Sequence, residues 1–105
     1  MSVLLEFSMF PTDKGESISA YVARVLALID EAGISYCLTP MGTIIETETF
    51  EQALNVLNQA YNQLALDCDR VYVSAKLDIR KGKGGRLTQK IESVEKRVGR
   101  KLKTS

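Results

Sequence analysis

The two thiols of the chain, Cys37 and Cys68, have no histidine anywhere in the sequence to activate them. A nucleophilic cysteine normally needs an imidazole base, as does a Ser-His-Asp triad. Proton transfer near neutral pH and most zinc or iron sites lean on the same side chain. The cysteines form no CxxC pair; Cys37 lies in an apolar run and Cys68 between two aspartates. They read as buried or half-buried free thiols of a cytoplasmic protein. Gly82-Lys83-Gly84-Gly85-Arg86 invites a phosphate-binding reading, because a glycine loop opening a helix presents free N–H groups. It lacks the GxxxxGK[ST] spacing, so it suits a bound phosphate or sulfate but not nucleotide hydrolysis. The carboxylates are scattered, and with no histidine beside them the expectation is a protein that is not an enzyme and holds no metal.

Hydrophobic periodicity supplies the elements that must position these groups. Residues 3–10 alternate, with Val3, Leu5, Phe7 and Met9 on one side and Leu4, Glu6, Ser8 and Phe10 on the other, and Pro11 stops the strand. A helix starting at Ser17 carries Ile18, Tyr21, Val22, Val25, Leu28, Ile29 and Ala32 at helical spacing, and Gly33 ends it. Residues 34–39 and 43–47 are short strands around the Pro40-Met41-Gly42 bend. Thr49 and Gln52 have capping-box spacing ahead of Ala53, Leu54, Leu57, Ala60, Tyr61, Leu64 and Ala65. Residues 70–80 alternate throughout; the basic loop 81–85 follows, and Thr88 is placed to cap a last helix with Ile91, Val94, Val98 and Leu102 as its apolar stripe.

The order β-α-β-β-α-β-α contains the split βαβ plan. The expected fold is α+β: a ferredoxin-like βαββαβ sandwich in one domain, residues 1–105. Right-handed crossovers put two helices on one face of a four-stranded antiparallel sheet of order 4-1-3-2, with a C-terminal helix added. The second face then carries Leu4, Glu6, Ser8 and Phe10 beside Tyr72, Ser74, Lys76 and Asp78. It is too apolar to be only solvated and too polar to be only core, as a sheet-to-sheet dimer interface with a polar pocket requires.

The bulk composition agrees with one ordinary globular domain: 105 residues, 45% hydrophobic and 26% charged. No apolar run approaches the ~18 residues of a membrane span, and the N-terminus has no basic region ahead of an apolar stretch. Charge is uneven. Residues 1–79 hold 4 Lys/Arg and 11 Asp/Glu, a balance of −7, whereas residues 80–105 hold 10 and 2, a balance of +8. The basic segment raises an alternative, a ferredoxin-like nucleic-acid-binding module. The central strands would present Glu6, Ser8, Ser74 and Lys76 instead of stacking aromatics, which disfavours it.

Glu6-Phe7-Ser8-Met9-Phe10-Pro11, Ser17-Ile18-Ser19-Ala20-Tyr21-Val22 and Tyr36-Cys37-Leu38-Thr39-Pro40-Met41-Gly42-Thr43-Ile44-Ile45-Glu46 carry a resemblance, joined by Leu77-Asp78-Ile79-Arg80 and Lys90-Ile91-Glu92-Ser93-Val94. Together they resemble the small thiamine-binding protein family of the YkoF-like superfamily, over almost the whole chain and in the same order. The resemblance implies homodimers formed by packing two sheets, paired further into dimers of dimers. It also implies binding of thiamine or its hydroxymethylpyrimidine portion, with no catalysis and no further cofactor. An aminopyrimidine wants a few hydroxyl or carboxylate partners in an apolar slot, and the thiazolium cation favours a carboxylate or an aromatic face. On that basis Ser8, Thr39, Thr43, Glu46 and Asp78 are the candidate polar contacts, and Phe10, Tyr36 and Met41 the candidate walls. Each has a plainer reading. Ser8 fills an interface, Thr39 and Thr43 shape the bend, Glu46 ends its strand, and Asp78 partners the basic loop. Glu6 opposite Lys76 reads as a cross-strand ion pair.

Overall fold

Seven elements follow one another in the computed structural model, which describes residues 1–82 and 85–104, with Thr88 described by its backbone alone. They are β1 (Ser2–Pro11), α1 (Ser19–Glu31), β2 (Ser35–Thr39), β3 (Gly42–Thr47), α2 (Phe50–Ala65), β4 (Val71–Arg80) and α3 (Arg86–Val98). The strands form one antiparallel sheet, β2-β3-β1-β4, which is the expected order read from the opposite edge. This is the ferredoxin-like α+β arrangement.

Alternation in β1 decides which face is core. Val3, Leu5, Phe7 and Met9 are buried against Val25 and Ile29 of α1 and Ala53, Val56, Ala60 and Leu64 of α2, with Ile45 of β3 beside them. Val56 replaces Leu54 and Tyr61 in the expected stripe of α2, and both of those are exposed. The capping box of α2 is present: Thr49 Oγ1 accepts from the N–H of Gln52 at 3.1 Å, and Gln52 Oε1 accepts from that of Thr49 at 3.1 Å. The start of α1 is different. Its N-cap is Ile18, with no side-chain cap, so the helix begins two residues later than Ser17 suggests.

One expectation of burial is corrected. The apolar side of β4 is only partly covered: Val71 packs on the core, but Val73 is 43% exposed, Leu77 37% and Ile79 45%. Helix α2 touches this edge strand without closing over it. The apolar stripe of α3 is exposed at Ile91, Val94, Val98 and Leu102. The N-cap of α3 is Gly85, in the left-handed conformation at φ 73°, which a glycine adopts without steric cost. Thr88 thus lies within the helix, and its hydroxyl, like Lys83 and Gly84 of the basic loop, is outside the described residues.

Candidate functional site

One end of the open sheet face is occupied by the start of α3. Glu46, on β3, accepts from the backbone N–H of Arg86 at 3.0 Å and of Leu87 at 3.3 Å, and from the Ser2 hydroxyl at 2.5 Å. Burial alone would raise its carboxyl, but these donors, together with the N–H of Gly85, outweigh that and hold it below the ordinary carboxylate value. Arg86 is itself buried. Its Nε donates to Ser2 Oγ at 3.1 Å, and its Nη2 to the carbonyls of Ser2 and Asp78 at 2.7 and 2.6 Å. Its Nη1 lies 3.0 Å from Asp78 Oδ2, which Lys90 Nζ meets at 2.7 Å. Asp78 is held below its usual value by the Lys90 hydrogen bond first, and by the Arg86 charge in addition. Two of the candidate ligand contacts, Glu46 and Asp78, therefore dock a helix.

The other end of the face is different. The turn between β2 and β3 folds back on β1, and a cavity of about 510 Å³ wraps round the sheet there. Its lining includes Ser8, Phe10, Thr39, Met41 and Thr43, so five of the eight sequence candidates come together. Ser8 Oγ donates to the Met41 carbonyl at 2.9 Å, which ties the turn down and leaves the oxygen free to accept. Thr39 shapes the turn: its hydroxyl donates to the Gly42 carbonyl at 2.8 Å and accepts from the Met41 N–H at 3.2 Å. A side chain at Gly42 would put its Cβ 3.0 Å from both Phe7 O and Ser8 Oγ, so the close approach of turn to strand needs a glycine. Thr43, beside Phe7 on the helix side of the sheet, is almost fully buried, and Met41 on the turn is 86% exposed.

Tyr36 is not part of this cavity. It points to the helix side of the sheet, where its hydroxyl donates to Asp30 Oδ1 at 2.9 Å. The aromatic walls are instead Phe10 and Tyr72, cross-strand partners in the β1–β4 register with ring centroids 5.5 Å apart at 34°. Ser74 joins them on β4. Tyr72 and Ser74 were legible as neighbours of Phe10 and Ser8 once the two alternating strands were paired antiparallel. No Asp, Glu, Lys or Arg is among the described lining residues. The expected pair Glu6–Lys76 is formed at 3.0 Å, outside the cavity.

A larger depression of about 660 Å³ lies at the α3 end. Its polar side chains include Glu46 and Gln52, already engaged in capping α3 and α2. Cys68 is buried, which pushes its thiol up, the neighbouring Asp67 adding to the effect. Among the described residues no three His, Cys, Asp or Glu side chains converge on a metal position, and no helix is long and apolar enough to cross a membrane.

A family model described as thiamine-binding protein matches residues 5–95. The UPF0045 protein YqgV of Bacillus subtilis is 38% identical over 88 residues, covering 78% of this chain and 83% of the relative. A UPF0045 protein of Mycobacterium tuberculosis is 31% identical over 96 residues, covering 91% and 94%. The crystal structure of the hypothetical protein MJ1052 from Methanocaldococcus jannaschii superposes with a TM-score of 0.79 at 29% identity, covering 89% of this chain and 95% of that one. A Thermotoga maritima protein provisionally assigned to thiamine biosynthesis or salvage shares the fold, with a TM-score of 0.77 at 18% identity over 90% of this chain and 99% of its own.

Proposed function

The chain belongs to the thiamine-binding protein family, and from that premise we propose that it binds thiamine or the hydroxymethylpyrimidine portion of it, without catalysis. The ligand sits in the cavity between the β2–β3 turn and the Phe10–Tyr72 pair. What carries this reading is the character of the lining: hydroxyls from Ser8, Thr39, Thr43 and Ser74 among apolar and aromatic walls, with no charged side chain among the described lining residues.

Each part of the ligand has a counterpart there. The pyrimidine stacks on the aromatic pair, and its amino group donates to the free lone pair of Ser8. A thiazolium cation is served by the ring faces instead of by a carboxylate, since Glu46 and Asp78 are engaged at the far end of the face. Among the described residues the lining offers no cation for a phosphate ester, so phosphorylated thiamine gains nothing there over the free alcohol. The described lining residues include no carboxylate or amine to serve as a general base, the group that catalysis by proton transfer would need. The exposed Met41 and Tyr72 favour closure by a second copy stacked on this end of the sheet.

Calorimetric titration with thiamine, thiamine diphosphate and hydroxymethylpyrimidine tests the reading on the wild-type chain, Ser8→Ala and Thr43→Val. Expected is binding of the unphosphorylated compounds at least as tight as the diphosphate, and weakened by Ser8→Ala. An absence of heat from all three with the folded wild-type protein would sink it.

A further inference from the structure

The β1–β3 ladder ends before β1 does. β3 pairs with β1 from Val3 to Phe7, which faces Thr43, whereas β4 pairs with β1 as far as Pro11. Residues 8–11 of β1 therefore have a strand on one side only. The phase of the ladder decides which peptide groups are left over. Thr12 N–H donates at 2.9 Å to the carbonyl of Arg70, the residue opposite it in the continued register, so the even residues of β1 direct both N–H and C=O toward β4. The odd residues direct theirs toward β3. Val3, Leu5 and Phe7 meet that strand, and Met9 lies beyond its end. Pro11, the next odd residue, has no N–H to leave over.

Met9 is 5% exposed, and among the described residues nothing accepts from its N–H or donates to its C=O. Buried backbone groups without a partner are rare, so this pair needs an occupant. Phe7, Ser8, Met9 and Phe10 all line the cavity beside the β2–β3 turn. Successive side chains of a strand point to opposite faces, so four in a row share one cavity only where it meets the strand edge-on. The cavity occupies the place where β3 would continue, with Ile18 and Val22 of α1 on one side and Tyr72 and Ser74 on the other.

On the reading that this cavity holds an aminopyrimidine, we propose that the N–H and C=O of Met9 recognise its edge as a partner strand would, and so select the amino form of the ring. One extended residue offers a donor and an acceptor side by side. Their complement is a flat ring with an acceptor nitrogen next to an amino-bearing carbon, which the hydroxymethylpyrimidine portion has. The ring nitrogen accepts from the Met9 N–H. One amino hydrogen goes to the Met9 carbonyl and the other to Ser8 Oγ, whose own proton is committed to the Met41 carbonyl. A 4-oxo ring carries a proton on that nitrogen and an acceptor in place of the amino group. It sets donor against donor and acceptor against acceptor.

Calorimetry with hydroxymethylpyrimidine and its 4-oxo analogue is expected to show the oxo compound at least about 100-fold weaker, because a site built on hydrogen bonds rejects a ligand that cannot make them. The preference is expected to survive Ser8→Ala. In amide hydrogen exchange followed by NMR, Met9 of the free protein should exchange faster than Leu5 and Phe7. Saturation with hydroxymethylpyrimidine should slow it and move its proton resonance downfield. Equal affinities for the two rings, a preference abolished by Ser8→Ala, or a Met9 amide indifferent to the ligand would each overturn the role of Met9 while leaving thiamine binding intact. If neither ring nor thiamine binds the folded protein, the role of Met9 falls together with the ligand itself.

Discussion

The Glu46 carboxylate accepts the backbone N–H of Arg86 at 3.0 Å, so a side chain from β3 caps a helix 40 residues further along the chain. The same carboxylate takes the N–H of Leu87 and the hydroxyl of Ser2. A carboxylate at a helix start satisfies orphan donors and opposes the positive end of the helix dipole. Here it also fixes where that helix lies, because the exposed stripe of α3 contributes little packing of its own.

Glu46→Ala is therefore expected to loosen α3 while sparing the ligand site. Loss of a cap costs about 0.5–2 kcal/mol, and hydrogen exchange of the 86–98 amides should rise ahead of the strand amides. Thiamine titration should be unchanged. Loss of binding without faster exchange in α3 would return Glu46 to the ligand.

Acid should act on the same joint. Glu46 and Asp78 are both held below their ordinary values in the folded chain, Glu46 by its donors against burial and Asp78 chiefly by Lys90. The folded form thus binds protons less readily than the unfolded one. Their contribution is complete above the usual carboxylate range near pH ~4 and disappears as pH falls through the lower folded values. NMR through the acid range should show α3 and Ser2 resonances shifting before those of Ile29 or Leu64. A single concerted transition of all of them would contradict this order.

Tyr72→Ala removes one wall of the cavity without touching the turn. Stacking of a base-like ring on an aromatic side chain is worth roughly 1–3 kcal/mol, or roughly 5- to 150-fold in Kd. Tyr36→Ala, on the opposite face, should leave affinity unchanged. Equal effects from the two tyrosines would place the ligand elsewhere.

Gly42→Ala forces a methyl group to 3.0 Å from the Phe7 carbonyl and the Ser8 hydroxyl. Overpacking of this kind costs about 1–3 kcal/mol, and here it also pushes the turn off Ser8. Thermal stability and ligand affinity are expected to fall together. Full affinity in a destabilised variant would show that the turn does not form the site.

The sheet and its order were legible because β1 and β4 alternate strictly and Thr49–Gln52 announces α2. Ser8, Phe10, Thr39, Met41 and Thr43 could be placed together because they flank one bend and one strand end. Tyr36 lies outside that cavity: it alternates with Cys37 and Thr39 and so faces the helices, as Thr43 does from the neighbouring strand. Asp78 as a charge partner of the basic segment was legible, whereas the capping of α3 by Glu46 depends on a loop-to-helix junction whose docking no periodicity records. The coverage of β4 was overestimated for a similar reason. Alternation says that a strand has an apolar side, but not how far two helices extend across it.

The β1–β4 ladder joins Ser2 to Arg80, while β1 and β3 meet through Val3 and Thr47. The inner strand β1 thus precedes β2, β3 and β4 in the chain and waits for a neighbour 60 to 78 residues away. Closing so long a loop before its contacts form is slow. During synthesis a three-stranded intermediate, β2-β3-β1, has the apolar flank of β1 for its border until β4 emerges. That interval is where this protein is most open to mispairing, and where a nascent-chain chaperone has most to protect.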